Sequence, residues 1–153
     1  MTLLAAAAIA DYQRISEVLR KAMIARVVTV SAELKPLIMP LYFVVIDGRI
    51  YMNNSATSPT VRNIAAHPHV LVLFQIRDGE VVRLRGTTRY LHDTATIRKV
   101  VRATLPKYVL RPRALWLWIR HLSRIPTRSQ YIRERSGSGM IEVTPESYTV
   151  TSA

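Results

Sequence analysis

The sequence predicts a β-barrel with helices. Three observations point there: short apolar runs fill Val27 to Leu91, two Asp-Gly pairs punctuate them, and one hydroxyl-rich segment, Asn53 to Asn63, separates the resulting hairpins. The 153 residues form one domain, read as an N-terminal helix (1–23), a barrel core (26–91), a helical insertion (93–126) and a closing strand (138–151).

An amphipathic helix is expected from about Thr2 to Met23, with Leu4, Ala8, Tyr12, Ile15, Leu19 and Ala22 on one stripe covering an end of the barrel. Leu3 to Ala10 has the look of a secretory h-region with an Ala-Ile-Ala cleavage site. It is short and lacks a basic leader, so a cytoplasmic location is expected. No apolar run is long enough to cross a bilayer.

Val27 to Ala32 is short and β-branched, and Pro36 to Ile46 is almost continuously apolar, as expected of a strand covered on both faces. Asp47-Gly48 then supplies the positive φ of a two-residue type I′ turn, folding Arg49 to Asn53 back as an antiparallel partner. Asp78-Gly79 reads as the same device between Val70 to Ile76 and Val81 to Leu91. Between the hairpins, Ser58 is a good N-cap and Pro59 suits the first helical position, so a helix should run to Ala66 and stop at His67-Pro68. Its start offers free N–H groups amid the hydroxyls of Ser55, Thr57, Ser58 and Thr60, with Arg62 one turn on. That chemistry suits a phosphate, and it equally describes an ordinary capped surface helix.

Two further helices are expected before the last strand. Asp93 to about Leu105 gathers Ile97, Val100, Val101 and Leu105. Ala114 to Ile125 places Leu115, Trp118, Ile119 and Leu122 inward, with Trp116, Arg120 and Arg124 on another stripe. Met140 to Val143 closes the sheet after a flexible turn at Ser136 to Gly139.

The ordered set of motifs resembles the pyridoxamine 5′-phosphate oxidase-like split β-barrel superfamily. It comprises Pro40-Leu-Tyr-Phe43, Ser58-x-x-x-Arg62-Asn63-Ile64, the His67-Pro68 break, Arg83-x-Arg85-Gly86 and the closing strand Ile141 to Pro145. The resemblance implies a mainly antiparallel six-stranded split barrel, a homodimer, and FMN or the deazaflavin coenzyme F-420 bound as cofactor. Carried over, Met39, Pro40, Leu41 and Tyr42 would flank the ring, and Asn54, Thr57, Ser58, Thr60 and Arg62 would hold the phosphate. Many members carry Lys two residues before this Arg, where this chain has Thr60. A basic residue often seen at Ser58 is missing as well.

Charge is lopsided. The chain carries 22 basic and 10 acidic residues, and 18 of the basic ones are Arg. Residues 77–153 hold +9 of the net +12. Arg83, Arg85 and Arg89 share one strand face, which repels itself unless water or an anion screens it. Arg111, Arg113, Arg120, Arg124, Arg128, Arg133 and Arg135 stand against Glu134 alone in the stretch they span. That stretch reads as a helical cap or dimer-facing layer, as a wall for an anionic cofactor tail, or as a surface for an anionic partner or acidic membrane.

There is no cysteine, which excludes disulfides, thiolate zinc sites and cysteine nucleophiles. His67, His69, His92 and His121 lack metal-ligand spacing, and no Gly-x-Ser-x-Gly elbow, phosphate-cradling Walker loop or dinucleotide fingerprint occurs. Two function classes follow. In the first, a cofactor does the chemistry, and the protein is an FMN- or deazaflavin-dependent oxidoreductase acting on a small organic substrate. In the second, the barrel is a non-catalytic anion-binding module for nucleic acid or an acidic membrane surface, without specific nucleic-acid recognition.

Overall fold

The computed structural model describes residues 3–76, 79–109 and 138–151. The predicted helix from Ala114 to Ile125, the arginines of 111–135, and Asp78 lie outside the described residues. The elements run α1 (Leu3–Lys21), β1 (Ile24–Val30), β2 (Pro36–Ile46), β3 (Arg49–Ser55), α2 (Pro59–Ala66), β4 (His69–Gln75), β5 (Val81–Leu91), α3 (Thr94–Thr104), a single π turn (Leu105–Val109) and β6 (Ser138–Thr151). The six strands close into an antiparallel barrel in the order β1-β2-β3-β6-β5-β4. The last strand inserts between β3 and β5, so the chain's end completes the sheet that its first half begins.

The β2–β3 hairpin forms as its sequence dictates. Ile46 pairs with Arg49, leaving Asp47 (φ 51°) and Gly48 (φ 74°) as the two turn residues. The second Asp-Gly pair does not repeat the device. Gln75 pairs with Val81, so five residues connect the strands, and Gly79 lies outside the left-handed region while its N–H donates to the Ile76 carbonyl at 3.1 Å. β1 also starts three residues earlier than its β-branched run predicts and ends at Val30. The Ser31 hydroxyl terminates it by accepting from the N–H groups of Glu33 and Lys35, both at 3.2 Å, with Leu34 at φ 62°.

Alternation places Ala25, Val27, Phe43, Ile50, Met52, Val72, Phe74, Val82, Leu84, Ile141 and Val143 inside the barrel. The rings of Phe43 and Phe74 lie 4.8 Å apart and tilted. Each such side chain contributes about 1.5–3 kcal/mol on burial. From α1 the core receives Ile15, Val18 and Leu19, and from the residue just past its end Ala22, spaced i, i+3, i+4, i+7. Tyr12, expected on that stripe, is 72% exposed, because Val18 rather than Tyr12 completes the buried face. The side chains of Leu4 and Ala8 lie outside the described residues.

A second, smaller core forms on the outside of the barrel. Val44, Tyr51 and Met140 pack beneath Val100, Ile97 and Ala103 of α3 and Tyr108 of the π turn. Leu105, expected in this set, is 52% exposed, since the helix widens there and Ala103 and Tyr108 turn inward instead. Nor is β2 covered on both faces. Ile38 (58% exposed), Pro40 and Tyr42 (66%) point outward into solvent, whereas alternate residues turn to the core. No helix among the described residues is long and apolar enough to cross a membrane.

Tyr108 fastens the π turn to the barrel. Its hydroxyl accepts from the Phe43 N–H at 2.9 Å and lies 2.6 Å from the Phe43 carbonyl and 2.9 Å from that of Met23, either of which can take its proton. β1 begins at Ile24, so the hydroxyl occupies the place where β2 has run past its neighbour. Lys107 adds an ammonium 3.3 Å from the Phe43 ring centre and donates to the Leu19 carbonyl. We expect Tyr108→Phe to destabilise the fold by about 1–3 kcal/mol, because it strands the Phe43 N–H. Urea unfolding of the two proteins measures this.

Candidate functional site: the β3–α2 junction and the outer face of β2

The site is built where β3 runs out and α2 begins. Ser58 caps the helix, its hydroxyl accepting from the Val61 N–H at 3.1 Å, and Pro59 takes the first turn. The Ser55 hydroxyl meets that of Thr57 at 3.1 Å, and Asn54 Oδ1 accepts from the Ser55 N–H at 2.9 Å. These contacts fold the hydroxyl-rich segment onto itself and present its donors around one helix start.

Beneath the helix, Asn63 is buried and donates from its side chain to the Thr29 hydroxyl of β1 at 3.0 Å. Thr29 pairs in register with Leu37 of β2, so α2, β1 and β2 are tied in sequence. Val61 and Ile64 complete the helix's inward face.

Of the five residues expected to hold a phosphate, Asn54, Thr57, Ser58 and Arg62 cluster at this junction, with Arg62 exposed one turn beyond Ser58. Thr60 is also there but fully buried, turned under the helix. Its hydroxyl and Asn54 Nδ2 are the two buried side-chain polar atoms without a hydrogen-bond partner among the described residues. An unmade hydrogen bond of this kind costs about 1–3 kcal/mol. Asn54 Nδ2 is an unpartnered donor four residues before the helix cap, and phosphate oxygens are acceptors, so the donor chemistry of the residues present fits a phosphate group.

The four residues expected against a ring divide between the faces of β2. Pro40 and Tyr42 project outward; Met39 and Leu41 are half-buried on the side that faces the core. A flat ligand on the outer face therefore meets the side chains of Pro40 and Tyr42 and only the backbone of the other two. Tyr42 stands edge-on to Tyr108 with ring centres 5.2 Å apart, which fixes its orientation.

Sequence reasoning missed a polar cluster on the neighbouring barrel wall. Glu142 of β6 is 3% exposed. It accepts from the Tyr51 hydroxyl at 2.8 Å, from Arg89 Nη2 at 2.8 Å and Nε at 3.2 Å, and from Arg49 Nη1 at 3.4 Å. Arg89 is thus paired and does not need a screening anion, whereas Arg83 and Arg85 remain exposed on β5. Only the pattern Ile141-Glu-Val143, one acid in an apolar strand, signalled it. Among the described residues no three His, Asp or Glu side chains form a metal-binding group.

A closed six-stranded antiparallel barrel with a donor-lined helix start behind its third strand defines the split-barrel class of proteins. Within that class, the family model described as pyridoxamine 5′-phosphate oxidase matches residues 12–149. The chain belongs to that family.

Solved structures similar to it include an F-420 reductase (16% identity, 87% of this chain and 94% of the other, TM-score 0.61). The heme storage protein HutZ of Vibrio cholerae is similar at 12% identity, 90% and 92% coverage and a TM-score of 0.65. An FAD-binding protein of Mesorhizobium loti matches at 17% identity, 90% and 91% coverage and a TM-score of 0.58. No curated protein matches the sequence. At such identities the likeness is one of fold, and the names of these three proteins span flavin, deazaflavin and heme.

Proposed function

We propose that the chain is a flavin- or deazaflavin-dependent oxidoreductase of this family, with FMN as its cofactor and coenzyme F-420 as the alternative, working as a cytoplasmic homodimer on a small organic substrate. The observation that carries the reading is the pair of unpartnered polar groups, Asn54 Nδ2 and the Thr60 hydroxyl, beside the capped start of α2.

In this reading Thr57, Ser58 and Asn54 donate to phosphate oxygens and Arg62 supplies the charge. Thr60, enclosed at 0% exposure, packs beneath the first turn of the helix and leaves its hydroxyl unpartnered next to the site. The exposed face of β2, with Ile38, Pro40 and Tyr42, offers an apolar wall to the ring and to a second subunit. When bound, the cofactor supplies the hydride or electron transfer; the protein's part is to position the ring, exclude water from one of its faces and set the surrounding charge. The names of the F-420 reductase and the FAD-binding protein agree with such a ligand.

An absorbance titration of nucleic-acid-free protein with FMN, and separately with F-420, tests this. Saturable binding of one chromophore is expected, weakened at least about tenfold by Arg62→Ala, the loss of one charge-assisted contact of about 1.5–3 kcal/mol. A protein that binds neither is not an oxidoreductase of this kind.

A further inference from the structure

We propose that a cleft between α3 and the β2–β3 hairpin binds a small organic phosphate monoester, at a place independent of the flavin reading. The cleft is an open surface groove of about 480 Å³ lined by Ile46, Ala95, Arg98, Lys99, Arg102 and Ala103. Small-ligand sites commonly occupy about 300–1,000 Å³.

Its charge is unbalanced in a specific way. Lys99 is neutralised by Asp47, with Nζ 3.0 Å from Oδ2. Arg98 and Arg102 have no acidic partner among the described residues, and α3 itself contains no acidic residue. They stand four residues apart, on neighbouring turns of one face, where two like charges repel. The helix dipole accounts for a cation in the last turn, which is Arg102, but not for Arg98 nor for the apolar floor between them.

That floor narrows the ligand. Ala95 and Ala103 leave room at either end of the arginine pair, and Ile46 lies at the base. A bare anion would use the guanidinium groups and leave this surface wet. A carboxylate presents two oxygens, suited to one guanidinium fork, whereas a phosphate monoester presents three and can engage both arginines while its organic part covers Ile46. The cleft is separate from the β3–α2 junction: α3 packs chiefly on β2 and β6, and α2 on β1, β3 and β5.

Calorimetric titration of the full chain with phenyl phosphate tests the proposal. Saturable binding with a Kd of about 1 mM or tighter is expected, stronger than that of inorganic phosphate. The variant Arg98→Gln/Arg102→Gln should weaken it at least about tenfold. Both side chains are exposed, and an unchanged melting temperature verifies that the fold is retained. Arg83→Gln/Arg85→Gln removes equal charge from β5 and should leave binding unchanged; Arg62→Ala removes any binding at the β3–α2 junction and should leave the binding that depends on Arg98 and Arg102 in place. No saturable binding, an equal loss in the β5 variant, or a loss confined to Arg62→Ala would each overturn the assignment. Equal affinity for inorganic phosphate would overturn the organic half of it.

Discussion

Glu142→Ala is expected to lower the melting temperature by about 4–8 °C, corresponding to about 2 kcal/mol for a domain of this size. The carboxylate is buried, yet Arg49 and Arg89 are about half and two-thirds exposed, so water takes over part of what they lose. The Tyr51 hydroxyl has no such recourse, since Tyr51 is 7% exposed and its proton is directed at Glu142. Glu142→Gln keeps an acceptor for that hydroxyl and should cost less than the alanine variant, which separates the neutral hydrogen bond from the ion pair.

The same cluster sets an acid limb of stability. Burial by itself raises the Glu142 pKa, but the hydrogen bonds from Tyr51 and Arg89 and the charges of Arg89 and Arg49 outweigh it and hold the carboxyl below its ordinary value of 4.5. The folded state therefore resists protonation more than the unfolded chain does. Its stabilisation is complete above the unfolded pKa and is lost as pH falls from there through the folded one. Thermal melts of wild type and Glu142→Gln from neutral pH down past 4.5 should converge at the acid end; parallel curves would refute a role for ionised Glu142.

Gly86→Ala should be strongly destabilising, at about 3 kcal/mol or about 6–12 °C. A Cβ at Gly86 would lie 2.5 Å from the Thr144 carbonyl oxygen, 2.9 Å from Val143 Cγ1 and 3.2 Å from Leu84 Cδ2. The nearest of these is backbone and cannot swing away. Gly86 sits at the β5–β6 register shift, where Arg85 pairs with Ser147 and Gly86 with Pro145, leaving Glu146 as the extra residue of a bulge. Pro145 lies beyond Val143, the last β6 residue paired with β3, so its missing N–H breaks no ladder on that side, and the glycine lets the β5 and β6 backbones close at the bulge. Gly79→Ala, whose Cβ would meet Ile76 Cβ at 3.3 Å, provides a milder comparison.

What was legible in the chain was local. Asp47-Gly48 carries its own turn geometry within two residues, and Ser58-Pro59 carries a helix start within three, so neither needed the rest of the molecule. Asp78-Gly79 shows the limit of the rule, since strand register, a sheet-wide property, decided in favour of a five-residue connection. Arg89 illustrates the same limit for charge: strand parity put it on a like-charged face, but its partner is 53 residues away on β6.

The sequence by itself determined the strands and helices α1, α2 and α3 among the described residues, the antiparallel hairpins and the cluster of donors before Arg62, because propensity, turn chemistry and capping act over a few residues. Tertiary structure decided which sides of those elements meet. It buried Thr60 beneath its own helix and left Ile38 and Tyr42 of an apolar strand in solvent. It set Tyr108 against the free edge of β2 and paired Glu142 with Tyr51, Arg49 and Arg89. The Glu142 cluster depends on barrel closure around β6, and all of these contacts bring together residues that no local preference connects.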